Sequence, residues 1–227
     1  MKHIATIKTG FTENFGIPRQ SGLAESLKAD IIFCPEFRNP DSLRGLDGFS
    51  HIWLIWKFSK SDKSGSGWLP TVRPPRLGGN TRMGVFATRS PFRPNPIGLS
   101  CVKLEGIDLH TPEGPVLHVS GADLADDTPI YDIKPYVPYT DCRPDATEGY
   151  TKETRLQNLK VVFPHDLALT LPAGMRQQLT EILAQDPRPH YQNDPERLYG
   201  MTYCGNDVKF TVEDDTLTVR SVEKLMA

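Results

Sequence analysis

The stretch Leu99–Ile133, LSCVKLEGIDLHTPEGPVLHVSGADLADDTPIYDI, decides the fold class. Leu99–Leu109, Val116–Val119 and Pro129–Ile133 read as strands, and Gly, Pro and Asp turns separate them. Working toward the N-terminus, Met83–Thr88, His51–Phe58, Asp30–Cys34 and His3–Ile7 read the same way. HIWLIWKF (His51–Phe58) is apolar and aromatic, which predicts a strand buried on both faces. Ser42–Gly48 is expected to form a helical turn with Ser42 as its N-cap. Many short strands without intervening helices point to a barrel or a sandwich rather than a doubly wound sheet.

Toward the C-terminus, TDCRPDATEGYTKET (Thr140–Thr154) is polar and turn-rich and marks a break. Beyond it, Lys160–Phe163 reads as a strand. A helix is expected over Pro172–Gln185, where Met175, Leu179, Ile182 and Leu183 share one face and Pro187 and Pro189 stop the chain. The tail alternates through Tyr199, Met201, Tyr203, then Val208, Phe210, Val212, then Leu217 and Val219. Turns at Gly205-Asn206 and Asp214-Asp215 make this a meander. The expected architecture is mainly β, with a main domain over 1–155 and a small C-terminal α+β domain over 156–227.

With 227 residues, 38% of them hydrophobic, the chain can bury a substantial core. The net charge is only −2, but it is unevenly spread. Lys63–Leu104 carries seven basic residues and no acid, leaving −9 for the remainder. That asymmetry predicts one basic face on an otherwise ordinary surface. Cysteines 34, 101, 142 and 204 form no CxxC pair and read as reduced thiols. MKHIATIKTGFTENFG lacks the apolar run of a signal peptide, and no segment has the length of a membrane span. A cytoplasmic protein is expected.

Several chemistries are set aside. No GxxxxGK[ST] occurs, and the only GxG, Gly65-Ser66-Gly67, lacks a strand–helix context. Gly48-Phe49-Ser50-His51-Ile52 fails as a nucleophile elbow at its last position. The six histidines show no paired-ligand spacing, so no metal site is expected.

Three segments carry unusual chemistry. GIPRQ (Gly16–Gln20) sets an Arg and a Gln after a proline, as either a surface turn or part of a site. PTVRPPRLGGNTRMGVFATRSPFRPNPIGLS (Pro70–Ser100) holds Arg73, Arg76, Arg82, Arg89 and Arg93 among six prolines and four glycines. Such a backbone is specified rather than floppy. Its arginines either brace the loop through carboxylates or present forked donors to an anion such as phosphate. GADLADDTPIYDIKPY (Gly121–Tyr136) gathers Asp123, Asp126, Asp127 and Asp132 beside Lys134 and Tyr136. Asp126 and Asp127 are equally explained as turn residues. Strand alternation sets Ile130, Asp132 and Lys134 on one face, opposite Tyr131 and Ile133, which suggests a polar cleft.

These three segments, with RGLDGFSHIWL (Arg44–Leu54) and QDPRPHY (Gln185–Tyr191), resemble the TrmO family, also called TsaA-like or YaeB-like proteins. The resemblance spans nearly the whole chain. It implies a compact β-barrel with a small C-terminal domain and a homodimer. It also implies transfer of a methyl group from S-adenosyl-L-methionine to N6 of the threonylcarbamoyl-modified adenosine just 3′ of the anticodon in tRNA. Carried over residue by residue, the cofactor would be held by Pro18, Arg19, Gln20, Ser59, Lys60, Arg89, Leu99, Gly121, Ala122, Asp123 and Leu124. Arg44, Arg73, Arg76, Arg82, Arg93, Asn95 and Lys134 would face the tRNA anticodon loop or the threonylcarbamoyl carboxylate. An exocyclic adenine nitrogen is a poor nucleophile, so a hydrogen-bond acceptor on N6–H is needed. Asp132 is the first choice for that role, with Tyr136 stacking or hydrogen bonding beside it. Two rivals are a non-catalytic RNA-binding module and a hydrolase of a small phosphorylated substrate.

Overall fold

The structure is a computed structural model that describes residues 1–58, 68–152, 158–188 and 194–225. Strands β1 (Ala5–Lys8), β2 (Lys28–Phe33) and β3 (His51–Lys57) come first. A two-stranded ribbon, β4 (Thr71–Val72) and β5 (Met83–Gly84), follows. Then come β6 (Ile97–Thr111), β7 (Gly114–Ser120) and β8 (Thr128–Pro135). Six of these close into an antiparallel barrel in the order β1-β2-β7-β6-β3-β8, sealed where Ala5 of β1 pairs with Ile130 of β8. Closure removes the sheet edges that a chain this rich in strands would otherwise expose.

Alternation drives the burial. Ala5 and Ile7, Ala29, Ile31 and Phe33, Leu117 and Val119, and Ile130 point inward around one core. The β3 strand departs from its expected two-faced burial. Ile52, Leu54 and Trp56 are in the core, whereas His51, Trp53 and Ile55 face outward and are only half-buried. On that outer face Trp53 lines the cavity described below, and Ile55 lies between Leu99 and Asp132 in the sheet.

Two further expectations change. Ser42 does not cap a helical turn: Asn39 does, its Oδ1 accepting from the Asp41 N–H at 3.0 Å. The Ser42 hydroxyl instead donates to the Asn39 carbonyl at 2.7 Å. Met83–Thr88 forms only a two-residue strand followed by a 3-10 turn at Val85–Ala87.

After a short helix α1 (Pro138–Asp141), the chain builds a second sheet from β9 (Lys160–Val162), β10 (Tyr199–Tyr203), β11 (Asn206–Glu213) and β12 (Thr216–Lys224). Its order is β10-β11-β12-β9, with β9 parallel to β12. Helices α2 (His165–Thr170) and α3 (Ala173–Ala184) connect β9 to the rest. The apolar face of α3 packs Leu179, Ile182 and Leu183 onto the sheet, with Met175 at its margin. The first hairpin turns at Cys204-Gly205, one residue before the expected pair, because both hold the positive φ (47° and 70°) such a turn requires.

This second core is not purely C-terminal. Phe11, Ala24 and Leu27, from the segment between β1 and β2, are buried in it beside Tyr203 and Phe210. Among the described residues no helix is long and apolar enough to cross a membrane, and no cluster of His, Cys, Asp or Glu could hold a metal ion.

Candidate functional site

A cavity of about 640 Å³ opens at the barrel end where β3 finishes and β6 begins. One wall is the turn Asn14, Ile17, Pro18, Arg19 and Gln20. The opposite wall is apolar, from Trp53, Trp56 and Phe58 with Ile97, Gly98 and Leu99. Arg89, Arg93 and Asn95 form the rim, and Asp123, Ala125 and Thr128 complete the lining. The volume falls in the range of small-molecule pockets, roughly 300–1,000 Å³, and mixes apolar walls with a few convergent polar groups.

The polar groups are chained together. The Trp56 indole donates to Ser100 Oγ at 2.9 Å, and the Ser100 hydroxyl donates to Asp123 Oδ1 at 2.5 Å. Burial pushes the Asp123 carboxyl above the usual range, partly opposed by the Ser100 bond and the Arg89 charge. Across the cavity, the Arg89 guanidinium donates to the Gln20 side-chain oxygen, and the Gln20 amide donates to the Arg19 carbonyl. The arginine rim and the turn wall therefore hold each other.

The turn wall is fixed from behind. Arg19 donates to the carbonyls of Asp186 (3.2 Å) and Arg188 (3.5 Å), beyond α3. The buried Arg188 makes a bidentate pair with Asp186 at 2.8 and 2.9 Å. Gly16 lies so close to Met201 that a Cβ there would stand 2.6 Å from Met201 Cε. The C-terminal sheet thus sets the position of one cavity wall.

Of the residues singled out from sequence, Pro18, Arg19, Gln20, Arg89, Arg93, Asn95, Leu99 and Asp123 come together in this lining. Gly121, Ala122 and Leu124 support it from outside. Ala122 and Leu124 are buried in the barrel core, and the Gly121 N–H donates to the Leu27 carbonyl at 3.0 Å. Ser59 and Lys60 lie outside the described residues, as does the Arg76 side chain. Arg73 and Arg82 are exposed beside the β4–β5 ribbon, Arg82 donating to Thr71 Oγ1 at 3.1 Å. Among the described residues, none of Arg73, Arg82, Arg89 and Arg93 forms an ion pair with a carboxylate. Arg44 stands apart, near the start of β3 at the far end of the barrel, paired with Asp41 at 2.5 Å.

Asp132 and Lys134 do not line the cavity. They form an ion pair at 3.1 Å on the outer face of the barrel. Ile130 does not share that face as alternation suggested. A bulge at Tyr131 lets β8 run Ile130↔Trp56 and then Asp132↔Ile55, which reverses the facing between them. Ile55 also pairs with Leu99, so Asp132, Ile55 and Leu99 lie in one row. At strand spacing Asp132 is about 10 Å from Leu99. Tyr136 packs on Trp53, with ring centroids 5.8 Å apart, and the Trp53 indole donates to Asp141 at 3.0 Å.

Residues 6–142 match the tRNA-methyltransferase O N-terminal domain, and residues 157–225 match the TrmO C-terminal domain. The chain belongs to the TrmO family. A tRNA (adenine(37)-N6)-methyltransferase of Escherichia coli is 39% identical over 98% of this chain and 97% of its own. A Pseudomonas aeruginosa relative named among the S-adenosylmethionine-dependent methyltransferases is 41% identical over 90% of this chain and 89% of its own. The crystal structure of TrmO from Pseudomonas aeruginosa superposes with a TM-score of 0.76 at 34% identity, covering 98% of this chain and 95% of that one. TrmO membership makes this chain a methyltransferase.

The sequence reading missed the aromatic wall of this TrmO barrel, Trp53, Trp56 and Phe58, along with Asn14, Ile17, Ile97, Gly98, Ala125 and Thr128. The available signal was Trp53 itself, an aromatic on the outward phase of β3.

Proposed function

We propose that this chain transfers a methyl group from S-adenosyl-L-methionine to N6 of adenine 37 in tRNA. We further propose that its substrate carries N6-threonylcarbamoyladenosine there, giving m6t6A. The observation that carries the reading is one cavity that combines an aromatic wall, a half-buried carboxylate and a rim of arginines that, among the described residues, have no carboxylate partner. Such a donor set suits a ligand with a flat base, a cationic sulfonium and a carboxylate. The Pro18–Gln20 turn, Arg89, Leu99 and Asp123 would hold S-adenosylmethionine, which supplies a methyl group on a sulfonium sulfur.

The remaining work is positioning and proton transfer, where orientation contributes most. Asp132, in the row that leads through Ile55 to Leu99, accepts the N6 proton as the new bond forms, and Trp53 with Tyr136 presents a flat surface next to it. Arg73, Arg82 and Arg93 meet phosphates or the threonylcarbamoyl carboxylate. With this substrate the enzyme works in the cytoplasm, and we take it to act as a homodimer.

Mass spectrometry of anticodon-loop nucleosides, after incubation with labelled S-adenosylmethionine, tests the reaction. Label is expected in tRNA with the threonylcarbamoyl group and not in tRNA lacking it. Asp132→Asn is expected to reduce turnover by about a hundredfold, within the range for a lost general base, with cofactor affinity unchanged. Equal turnover in both proteins discards that assignment.

A further inference from the structure

The segment that carries the arginines, from just before the β4–β5 ribbon to just beyond it, also carries aromatic rings that the barrel does not bury. Trp68 is 51% exposed, Phe86 73% and Phe92 50%. Trp68 and Phe86 stack on each other, with centroids 6.2 Å apart and planes inclined by 29°. Their backbones are tied: Val85 N–H donates to the Pro70 carbonyl at 2.9 Å, and Thr71 and Val72 pair with Gly84 and Met83. Large rings held this far out of a core mark a contact surface rather than chance exposure.

The charge around them selects the partner. Arg73 and Arg82 are exposed on the same ribbon, and no Asp or Glu occurs from Lys63 to Leu104. Two copies of such a surface would repel if brought face to face. An anionic partner with flat apolar faces satisfies both features, and unpaired RNA is that partner. Bases in a duplex hide their faces, whereas loop bases can splay out and stack on aromatic side chains.

We propose that the Trp68–Phe86 pair is a stacking platform for unpaired RNA bases that flank the reacting adenine, with Arg73 and Arg82 holding the adjoining phosphates. This rests on the tRNA reading above and adds to it a base-binding subsite outside the cavity.

The test uses the full chain, an RNA hairpin with a single-stranded loop, and the same strand closed into a perfect duplex. W68A/F86A is expected to weaken hairpin binding by about five- to 150-fold for each base unstacked, with duplex binding unchanged. Its salt slope stays that of the wild type, because stacking releases no counterions. R73A/R82A instead lowers the slope by about one unit per lost phosphate contact. W68F keeps the ring and is expected to bind like the wild type. Unchanged hairpin affinity in W68A/F86A overturns the platform, as does an equal loss with duplex. Conversion of a dimer to a monomer with RNA affinity intact also overturns it, and makes the patch a contact between two copies. Should W68A/F86A fail to melt cooperatively, the emission difference between wild type and W68F reports Trp68 directly. Quenching by the hairpin supports the platform, and its absence rejects it. Methyl transfer by the wild type is read separately. A wild type that stacks RNA but transfers no methyl overturns the proposed function alone.

Discussion

Gly98 faces Trp56 across the β3–β6 ladder, and a Cβ at that position would stand 2.2 Å from the indole ring. No flexible side-chain end is available to yield, because the ring packs in the core and its Nε1 is committed to Ser100. Gly98→Ala is therefore expected to destabilise the chain by roughly 1–3 kcal/mol and to disturb the Trp56–Ser100–Asp123 chain in the cavity. Thermal melting with S-adenosylmethionine titration checks it, and a variant that melts and binds like the wild type refutes the packing argument. At this scale the sequence was partly readable. Arginine and proline spacing singled out the Pro18–Gln20 turn and the Arg89–Arg93 stretch but left open whether they brace a loop or bind a ligand, and the resemblance to TrmO supplied the assignment. The orientation of Asp132 was not readable, because one bulged residue at Tyr131 reverses the facing and leaves no compositional trace.

Glu105 ties three strands of the barrel together. Its carboxylate accepts from Ser120 on β7 at 2.7 Å, Lys28 on β2 at 2.9 Å and Lys103 on β6 at 3.3 Å. The Ser120 hydrogen bond and then the Lys28 one hold its carboxyl down, from an ordinary 4.5 to about 2. A depressed carboxyl stabilises the fold above its ordinary value, and that contribution is lost as pH falls from about 4.5 toward 2. The lysines are more than half exposed, so solvent limits the effect to about 1 kcal/mol. Glu105→Gln is expected to cost that much near neutral pH and nothing near the low end of this window. Denaturant unfolding at both ends checks it: an equal difference at both excludes the titration. Among elements, α3 was legible to within a residue at each end because its apolar face repeats with helical period. The six-residue α2 was too short to show any period, and β3 was misread as buried on both faces because its half-buried outer residues Trp53 and Ile55 are apolar, Trp53 lining the cavity.

The barrel core draws on residues from Ala5 to Ile130 with partners no later than Ile133, whereas the second core recruits Phe11, Ala24 and Leu27 from the N-terminal segment. That recruitment joins residues more than 150 positions apart, as in the bonds from Ser26 to Glu181 and from Arg19 to Asp186. Local periodicity carries no record of such contacts, so the link between tail and cavity was invisible from sequence even though both sheets were foreseen. It bears on the cavity, because the same segment carries Pro18, Arg19 and Gln20 of its wall. Removing residues 156–227 should leave the barrel's own core intact and free the turn wall, lowering S-adenosylmethionine affinity by at least about tenfold, since small misplacements of positioning groups are costly. Two full-length variants give the same reading without exposing Phe11. Arg188→Gln breaks the bidentate pair with Asp186, and Met201→Ala removes the side chain against which Gly16 rests. Both are expected to raise the dissociation constant for S-adenosylmethionine while leaving the salt dependence of RNA binding unchanged. Calorimetric titration decides the matter: cofactor affinity equal to the wild type in the shortened chain and in both variants means that the turn holds its shape without the C-terminal sheet.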